Sequence, residues 1–562
     1  NAGDDVSKGV SGTNSLYGGV GTDTIFSGSG DDIIDGGVGN SDWVDYSDLI
    51  ADININLKTG TASGAGTDSL ISIENIQLGN GTNTIQVSKD VSNIINGGTG
   101  SDTLTYSQSD ASITFDITNS SITGDGIGLD TFTNIEGFVG SSFADIFINN
   151  SVDGLTIDAL GNSNGSDEVD YTSVTSDLTI TIDGSNPETV SDGINTDNIS
   201  NIEIITSGSG ADNFVVSSTT GLDTLDAGAG IDSLTLSGSI DLSSVTLLNF
   251  ENIIVADGDT LTLNARDLDD KTMTIELQGS GSLIVNATSI INDHDFDGIS
   301  INKTNTPSGT VTLNVDSSID LSSKNLGNNL MIDTFQVNSG TLTLNEAQVT
   351  SQVISGSGSA VVQISSDSST DFTSILTLNT PSNETILFTA DSIFSGDFGN
   401  SNIVINPLVT LTTSFNKLDG KISNLSGVGN LTISDTSISA SNTDLLATAI
   451  DGVLTATITS GAVDTTLAAI TNVDVNDVIT FTTTDTSVNA TDLVNLNAKI
   501  GAFGVSSIVD ITEAFDTTNV ATVVLNALSL VDGDETVSIT GGPISANDVN
   551  SIANATSGVV TG

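Results

Sequence analysis

The chain has 562 residues, of which 71 are acidic and 10 basic, so its formal net charge at pH 7 is -61. A field of that sign repels phosphate groups, which argues against binding to nucleic acid or to an anionic membrane surface. The sequence contains no cysteine, which excludes disulfides, thiol catalysis and zinc–thiolate sites. No apolar run approaches the roughly 20 residues of a membrane span, so we expect no membrane insertion.

Disorder is the first alternative for so acidic a chain, but 36% of its residues are apolar. Apolar and polar residues alternate through most of the sequence, as in residues 311–315, which predicts β-strands. Aromatic residues make up 4% of the chain, so its cores must be thin layers of aliphatic side chains. That composition suits a stacked solenoid better than a globule.

The first 45 residues repeat a nine-residue pattern. Glycine occupies the fourth place in five copies, at Gly3, Gly12, Gly21, Gly30 and Gly39. The sixth place carries an oxygen-bearing side chain in each copy, namely Asp5, Asn14, Asp23, Asp32 and Asp42, the last of these one residue late. The eighth place is apolar in the three central copies, at Leu16, Ile25 and Ile34. A flexible linker would have no reason to keep an apolar place every nine residues.

Glycines in a tight turn let backbone carbonyl groups approach one another, and Ca2+ takes six to eight oxygen ligands of that kind together with carboxylates. The clearest copy, residues 18–26, resembles the GGxGxDxUx nonapeptide of the RTX family of secreted calcium-binding proteins. The resemblance implies a parallel β-roll in which two nonapeptides form one coil, pairing Asp5 with Asp23, Asn14 with Asp32, and Asp23 with Asp42. The calcium ligands implied in residues 1–48 are Asp5, Asn14, Gly18, Gly21, Asp23, Gly28, Gly30, Asp32, Gly36, Gly39 and Asp42. Asn14 is neutral and Asp42 is displaced by one insertion, which weakens those two places.

A longer repeating unit, of about 60 to 65 residues, covers residues 49–265. An aspartate opens each copy, and these openings are Asp42, Asp102, Asp167 and Asp232. Such recurrence predicts stacked coils, similar to the degenerate repeats that accompany RTX repeats. Asp102 and Asp232 keep more of the glycine turn and are candidate calcium ligands. Three glutamates, Glu74, Glu136 and Glu203, occupy corresponding turns, and we expect them to be solvated rather than to bind metal.

Residues 266–430 predict an irregular β-rich region without a fixed period. Asp293, Asp295 and Asp297 alternate before Gly298, which resembles the start of an EF-hand calcium loop. The twelfth position of that loop is Thr304 instead of glutamate. Both a calcium site and a polar surface turn are compatible with this segment.

Residues 431–562 predict a β/α solenoid, with a strand and a short helix in each repeat of about 22 to 30 residues. In the helix predicted near residues 489–500, Leu493, Leu496 and Ile500 fall on one face and Asn489 is a cap. The fold class predicted overall is mainly β, a parallel β-roll or β-helix solenoid followed by this β/α solenoid.

Two functions are compatible with a long, acidic, calcium-binding solenoid. The first is a structural protein of a bacterial cell surface, self-associating in a surface layer or filament and secreted as type I substrates are. The alternative is the repeat region of a large adhesin that binds a surface or a glycan. The sequence lacks HExxH and GxSxG motifs and has one histidine, so we expect no catalytic activity. Residues 558–562 have the pattern of a further repeat, which favours a longer natural chain.

Overall fold

The structure is a computed structural model that describes residues 3–87, 91–161, 165–269, 271–287, 296, 298–304, 309–323, 326, 330–350, 352–378, 383–500, 502–504, 508–514 and 520–562. It is 41% strand and 11% helix, which confirms the mainly β fold class. The chain forms two compact units. Unit 1 comprises Asn1–Asn286, Asp293–Thr312 and Asn325–Met331, and unit 2 comprises Ala287–Asn292, Leu313–Lys324 and Ile332–Gly562. The four segments named from the sequence stay a prediction.

The strands before residue 310 are short, because turns interrupt the chain at close intervals. They are β1 (Val6–Lys8), β2 (Ser15–Val20), β3 (Thr24–Phe26), β4 (Ile33–Val38), β5 (Trp43–Asp45), β6 (Asn54–Asn56), β7 (Thr61–Ser63), β8 (Thr67–Ile71), β9 (Asn75–Gln77), β10 (Thr84–Gln86), β11 (Ile94–Asn96), β12 (Thr103–Thr105), β13 (Ile113–Asp116), β14 (Ser121–Gly124), β15 (Asp130–Thr133), β16 (Gly137–Val139), β17 (Ile146–Ile148), β18 (Thr156–Asp158), β19 (Glu168–Asp170), β20 (Thr179–Ile182), β21 (Glu188–Ser191), β22 (Thr196–Ser200), β23 (Ile204–Thr206), β24 (Asn213–Val216), β25 (Thr224–Asp226), β26 (Ser233–Leu236), β27 (Ile240–Asp241), β28 (Thr246–Leu248), β29 (Asn252–Val255), β30 (Thr260–Asn264), β31 (Met273–Gln278), β32 (Ser282–Ala287) and β33 (Ile299–Thr304).

Apart from the meanders described below, successive strands from β1 to β26 alternate between two sheets, and β27 and β30 belong to a separate, seven-stranded sheet. Sheet 1 has 17 strands and begins with β2 and β4, and sheet 2 has 13 strands and begins with β1, β3 and β5. Strands two apart in the chain pair in parallel, with Ile25 aligned to Val44 in sheet 2. Ile25 and Ile34, two of the apolar eighth places, are fully buried, whereas Leu16 is half-buried. This is the parallel β-roll that the nonapeptide pattern predicts.

Three antiparallel meanders interrupt the parallel order. They are β6–β7–β8 in sheet 1, β13–β14–β15 in sheet 2 and β20–β21–β22 in sheet 1. Each of the first three copies of the longer unit contains an opening strand, a meander that stays in one sheet, and three further strands. The number of steps between the sheets in one copy is therefore odd. Successive openings β5, β12, β19 and β26 accordingly lie in alternate sheets, so one unit is not a whole number of coils.

The strands after residue 310 are mostly parallel neighbours as well. They are β34 (Val311–Val315), β35 (Ile319–Asp320), β36 (Thr334–Val337), β37 (Thr341–Asn345), β38 (Val353–Gly356), β39 (Ser359–Ile364), β40 (Leu376–Leu378), β41 (Glu384–Phe388), β42 (Ser392–Phe394), β43 (Asn402–Ile405), β44 (Thr410–Thr413), β45 (Leu425–Gly427), β46 (Asn430–Ile433), β47 (Leu454–Thr457), β48 (Val478–Thr482), β49 (Ser487–Asn489), β50 (Ala502–Gly504), β51 (Asp510–Ala514), β52 (Thr536–Thr540) and β53 (Val560–Thr561). Within unit 2, one six-stranded sheet contains β35, β37, β39, β41, β43 and β45, and another contains β42, β44, β46, β47, β48 and β50. A four-stranded sheet contains β49, β51, β52 and β53.

Helices alternate with strands at the carboxy-terminal end of unit 2. They are α1 (Phe415–Leu418), α2 (Ala440–Ala449), α3 (Val463–Ala469), α4 (Ala490–Asn497), α5 (Val520–Leu528) and α6 (Ala546–Ala553). Short 3-10 helices span Ala265–Asp267, Glu346–Gln348 and Ile422–Asn424. The Asn489 side chain accepts a hydrogen bond from the Asp492 N–H and caps α4, as predicted. Leu493, Leu496 and Ile500 are buried, which confirms the apolar face.

Candidate calcium sites

The sixth-place residues of the nonapeptides lie in turns that lead into strands. Asp5, Asp23 and Asp42 precede β1, β3 and β5 at one edge of the roll, and Asn14 and Asp32 precede β2 and β4 at the other edge. Asp23 and Asp42 have no exposed surface, and Asp32 is 2% exposed. Acidic side chains are rarely buried to this extent unless a partner compensates them, so these turns need an electrostatic explanation.

A hydrogen-bonded ladder joins the first edge from coil to coil. Asp23 Oδ1 accepts the N–H of Asp5 at 2.7 Å, and Asp42 Oδ1 accepts the N–H of Asp23 at 2.8 Å. Glu74 Oε2 then accepts the N–H of Asp42 at 3.0 Å. The pairs that the nine-residue pattern implies therefore come together. The insertion before Asp42 does not break the register, because Trp43 still aligns with Thr24.

The second carboxylate oxygens of this ladder are buried without a donor. The same holds for further aspartates in the longer units, so that the described Oδ2 atoms in this state include those of Asp5, Asp23, Asp42, Asp102, Asp212 and Asp232. A buried carboxylate oxygen without a partner is costly, and a cation or a proton would relieve that cost. Burial raises the pKa of Asp42 and Asp102, and it raises the pKa of Asp232 to about 6.

Glycines crowd backbone oxygens around these carboxylates. A Cβ placed on Gly18 would lie 2.4 Å from the carbonyl oxygen of Gly36 and 2.5 Å from Asp23 Oδ2. A Cβ on Gly36 would lie 2.8 Å from Asp42 Oδ2. The remaining candidate glycines lie against carbonyl oxygens of an adjacent coil in the same way, namely Gly21, Gly28, Gly30 and Gly39. Carbonyl and carboxylate oxygens are the donor set that Ca2+ prefers, so the residues present fit a calcium ion.

The second edge of the roll is arranged differently. Asp32 Oδ1 accepts the N–H of Asn14 at 2.7 Å, and Asp68 Oδ1 accepts the N–H of Asp32 at 2.9 Å. The Asn14 Nδ2 group donates to Asp32 Oδ1 at 3.0 Å. The hydroxyl groups of Ser27 and Tyr46 donate to Asp32 Oδ2 and Asp68 Oδ2 at 3.3 and 2.7 Å. Protein donors therefore occupy the carboxylate oxygens on this edge.

The longer units contain further ladders of the same kind. Asp102 Oδ1 accepts the N–H of Asn83 at 2.9 Å, and Asp232 Oδ1 accepts the N–H of Asp212 at 2.7 Å. Asp212 was not among the calcium ligands predicted from the sequence, although Gly208 and Gly210 precede it as glycines precede Asp102. The regular glycine–aspartate spacing is the signal that could have identified it.

A glutamate ends each of four ladders. Oε2 of each glutamate accepts the backbone N–H of an opening aspartate, and the pairs are Glu74 with Asp42, Glu136 with Asp102, Glu203 with Asp167 and Glu251 with Asp232. Glu74 is buried and the other three are half-buried. The prediction that Glu74, Glu136 and Glu203 are solvated turn positions is therefore wrong. Each of them satisfies a backbone donor that the strand geometry leaves at the turn.

Two other groups of acidic residues occur in the sequence. Asp293, Asp295 and Asp297 lie outside the described residues. Near the carboxy-terminal end, Asp532, Asp534 and Glu535 bring carboxylate oxygens within 4.8 Å of one another, with the first two side chains exposed. The Gly533 N–H donates to Glu535 Oε2 at 3.0 Å, so hydrogen bonds within the loop account for its buried member.

Comparison with known proteins identifies the amino-terminal turns. The family description of the RTX calcium-binding nonapeptide repeat, in four copies, matches residues 8–41. Residues 8–41 are RTX nonapeptide repeats. No curated protein matches the chain. Repeats of this family bind calcium and fold as β-rolls, in agreement with the alternating sheets and the buried aspartate ladder. Among the described residues, no helix has the length and apolarity needed to cross a membrane.

Proposed function

We propose that this protein is a calcium-stabilised extracellular structural protein. The ions would lie between coils at Asp5, Asp23 and Asp42, with backbone oxygens of the glycine turns completing their coordination. Asp102 and the Asp212–Asp232 pair would hold further ions in the longer units. The observation that carries the proposal is the row of buried Oδ2 atoms without a donor in stacked turns.

Calcium would act on folding, because the ligands are far apart in sequence and meet only when the coils stack. In the absence of the ion, their charges repel one another within a chain of net charge -61. The free energy of binding therefore becomes free energy of folding. A chain of this kind stays unfolded where calcium is scarce and folds where it is abundant, which suits export followed by folding outside the cell.

The role that fits such a solenoid is mechanical. Stacked coils contact mainly their neighbours, so length is added without a larger core. We propose a surface layer or filament of a bacterial cell, in which copies of the chain associate. The alternative is an adhesin that binds a surface or glycan. The burial of the Oδ2 atoms of the ladders favours a structural role for these carboxylates.

The calcium hypothesis is tested with Asp23→Asn. This variant keeps the oxygen that accepts the Asp5 N–H but removes the charge that an ion requires. We expect lower calcium affinity and a lower melting temperature in millimolar Ca2+, with no loss in EGTA, by titration and differential scanning calorimetry. Asp125→Asn, at an exposed turn, is the control for the change in charge. Equal melting of the wild-type chain in Ca2+ and EGTA would refute the proposal.

The structural role is tested by electron microscopy of the purified chain with and without Ca2+. A lattice or filament protein forms ordered assemblies with calcium and loses them with chelator. Monomers that bind a glycan array in calcium would instead favour the adhesin.

A further inference from the structure

The turns of unit 1 differ in what faces their buried carboxylates. Asn14 occupies on the second edge of the roll the position that Asp5 occupies on the first edge, because each residue donates its N–H to an aspartate 18 residues later. The Asn14 Nδ2 group donates to three oxygens at once, the carbonyls of Val10 and Gly12 at 2.9 and 2.6 Å and Asp32 Oδ1 at 3.0 Å. Turn carbonyls and the next aspartate are the groups that would surround an ion in the corresponding turn of Asp5.

The same arrangement recurs at Asn83. The Asn83 Nδ2 group donates to the carbonyls of Gly81 and Gly97, both at 3.2 Å, and to Asp102 Oδ1 at 2.7 Å. Asn83 has no exposed surface. Two amides in different copies thus make the same three contacts, with two turn carbonyls and the carboxylate of the next coil.

At each meander, a tyrosine hydroxyl donates a hydrogen bond to a buried aspartate, as the two asparagine amides do. The hydroxyl donates to the Oδ2 of an aspartate in the last meander strand, and the pairs are Tyr46 with Asp68 at 2.7 Å, Tyr106 with Asp130 at 2.6 Å and Tyr171 with Asp197 at 3.0 Å. The tyrosines are at most 2% exposed. Burial raises the pKa of all three, so each hydroxyl keeps its proton. In each of these three copies the tyrosine follows the opening aspartate by four residues.

We propose that the amides of Asn14 and Asn83 and the hydroxyls of Tyr46, Tyr106 and Tyr171 take the place of calcium in their own turns. The solenoid then contains two kinds of turn, one closed by an ion and one closed by a donor of the protein itself. An ion and an N–H or O–H group both present positive charge to the same oxygens, so one excludes the other. This inference rests on the proposed calcium binding and assigns the turns that do not need it.

The fourth copy supports the assignment. Leu236 occupies the place of the tyrosine there, four residues after Asp232. The described residues of that copy contain no antiparallel meander, and Asp232 Oδ2 has no donor. The tyrosine, the meander and the aspartate that accepts the tyrosine hydroxyl therefore occur together in the first three copies. The opening aspartates are a separate case, because Asp42 and Asp102 keep an Oδ2 without a donor in copies that have the tyrosine, as Asp232 does in the copy that lacks it.

The test converts a donor-closed turn into an ion-closed turn. Asn14→Asp gives residue 14 the relation to Asp32 that Asp5 has to Asp23. We expect one additional calcium ion bound per chain, measured by equilibrium dialysis and isothermal titration calorimetry. We also expect a wider gap between the melting temperatures in Ca2+ and in EGTA. Asn83→Asp should behave in the same way, and it provides a second reading if one variant folds poorly.

Asn54→Asp is the matched control, because Asn54 is exposed on the outer face of β6 and changes the charge equally. An ion count for Asn14→Asp and Asn83→Asp that equals that of Asn54→Asp would overturn the inference while leaving the proposed function intact. A wild-type chain that binds no calcium would overturn the proposed function itself.

Discussion

The ladder-bearing coils of residues 3–265 and the strand–helix repeats of residues 431–562 both bury acidic side chains, but they compensate them differently. In the coils, several aspartates keep a buried Oδ2 without a donor. In the repeats, the described buried acids have donors on their oxygens. Asp477 accepts the N–H groups of Leu454 and Asp474, and Glu513 accepts those of Thr491 and Ala514.

The repeats also have α-helices, whereas the described residues of the coils have none. Ser439, Asn489 and Ser545 cap three of these helices with their side chains, and the helices bury apolar residues against the strands. Backbone donors at these turns are thus satisfied by neutral side chains or by helix geometry. The described turns with a buried Oδ2 and no donor are thus mainly of one kind, in which glycines and an aspartate precede a short strand.

The largest expected effect is a difference between the two regions in their response to chelation. In EGTA, we expect amides of residues 3–48 and of the Asp212–Asp232 turns to lose protection from hydrogen exchange, because unscreened carboxylates repel one another there. Amides of residues 431–562 should keep their protection. Exchange measured by mass spectrometry in Ca2+ and in EGTA checks both statements. Equal loss of protection in both regions would show that the ion requirement is not local.

Gly18→Ala should sharpen the comparison within the coils. The added methyl group would meet the Gly36 carbonyl oxygen and the Asp23 carboxylate, neither of which can move away without breaking the ladder. We expect a loss of about 3 kcal/mol in the free energy of unfolding, at the upper end of overpacking costs. Gly461→Ala is the control, because its nearest neighbours lie 3.8 Å from the new Cβ. Urea unfolding in Ca2+ measures both losses. Equal losses in the two variants would show that the close approach of Gly18 to these oxygens does not contribute to stability.

Much of the edge that carries Asp5, Asp23 and Asp42 could be predicted from the sequence, since nine-residue periodicity fixes both the strand register and the place of each aspartate. The pairing of Asp5, Asp23 and Asp42 followed from this period together with the two-repeat coil that the family resemblance implies. The glutamate caps were missed because a turn glutamate is usually solvated, and only the register shows Glu74 facing the Asp42 N–H.

The tyrosine–aspartate pairs were missed for a different reason. Their members are 22, 24 and 26 residues apart, because the meanders differ in length. No fixed spacing marks them in the sequence. They meet because the last meander strand returns to the register of the coil before it, as β8 does beside β4.

Tyr106→Phe tests a turn that is closed by a hydroxyl group of the protein. Loss of the hydroxyl leaves Asp130 Oδ2 buried without its donor, which should cost about 2 kcal/mol. Because phenylalanine keeps the ring and adds no oxygen ligand, this loss should be the same in Ca2+ and in EGTA. Tyr17→Phe, with its side chain largely exposed, is the control and should change little. A loss that calcium reverses would mean that the Tyr106 turn can also bind an ion.

The smallest expected effect is a pH dependence of the chelated protein. Burial raises the pKa of Asp130 and Asp197, and that of Asp232 to about 6, above the usual value of 3.8. Between these values the folded chain holds protons that the unfolded chain has released, so stability falls as the pH rises through this window. In EGTA the melting temperature should therefore increase when the pH is lowered from 7 towards 4.5.

Below that window the sign reverses. Hydrogen bonds to exposed aspartates such as Asp183 and Asp192 lower their pKa, and their contribution is lost as the pH falls below 3.8. The chelated protein should thus be most stable near pH 4 to 5. Asp232→Asn, which carries no titrating proton, should weaken the rise between pH 7 and 4.5. In saturating Ca2+ the part of the rise that comes from Asp232 should disappear, because bound ions then occupy its oxygens, whereas the part that comes from Asp130 and Asp197 should remain. A rise of equal size in Ca2+ would show that overall charge, and not the ladder carboxylates, sets the pH dependence.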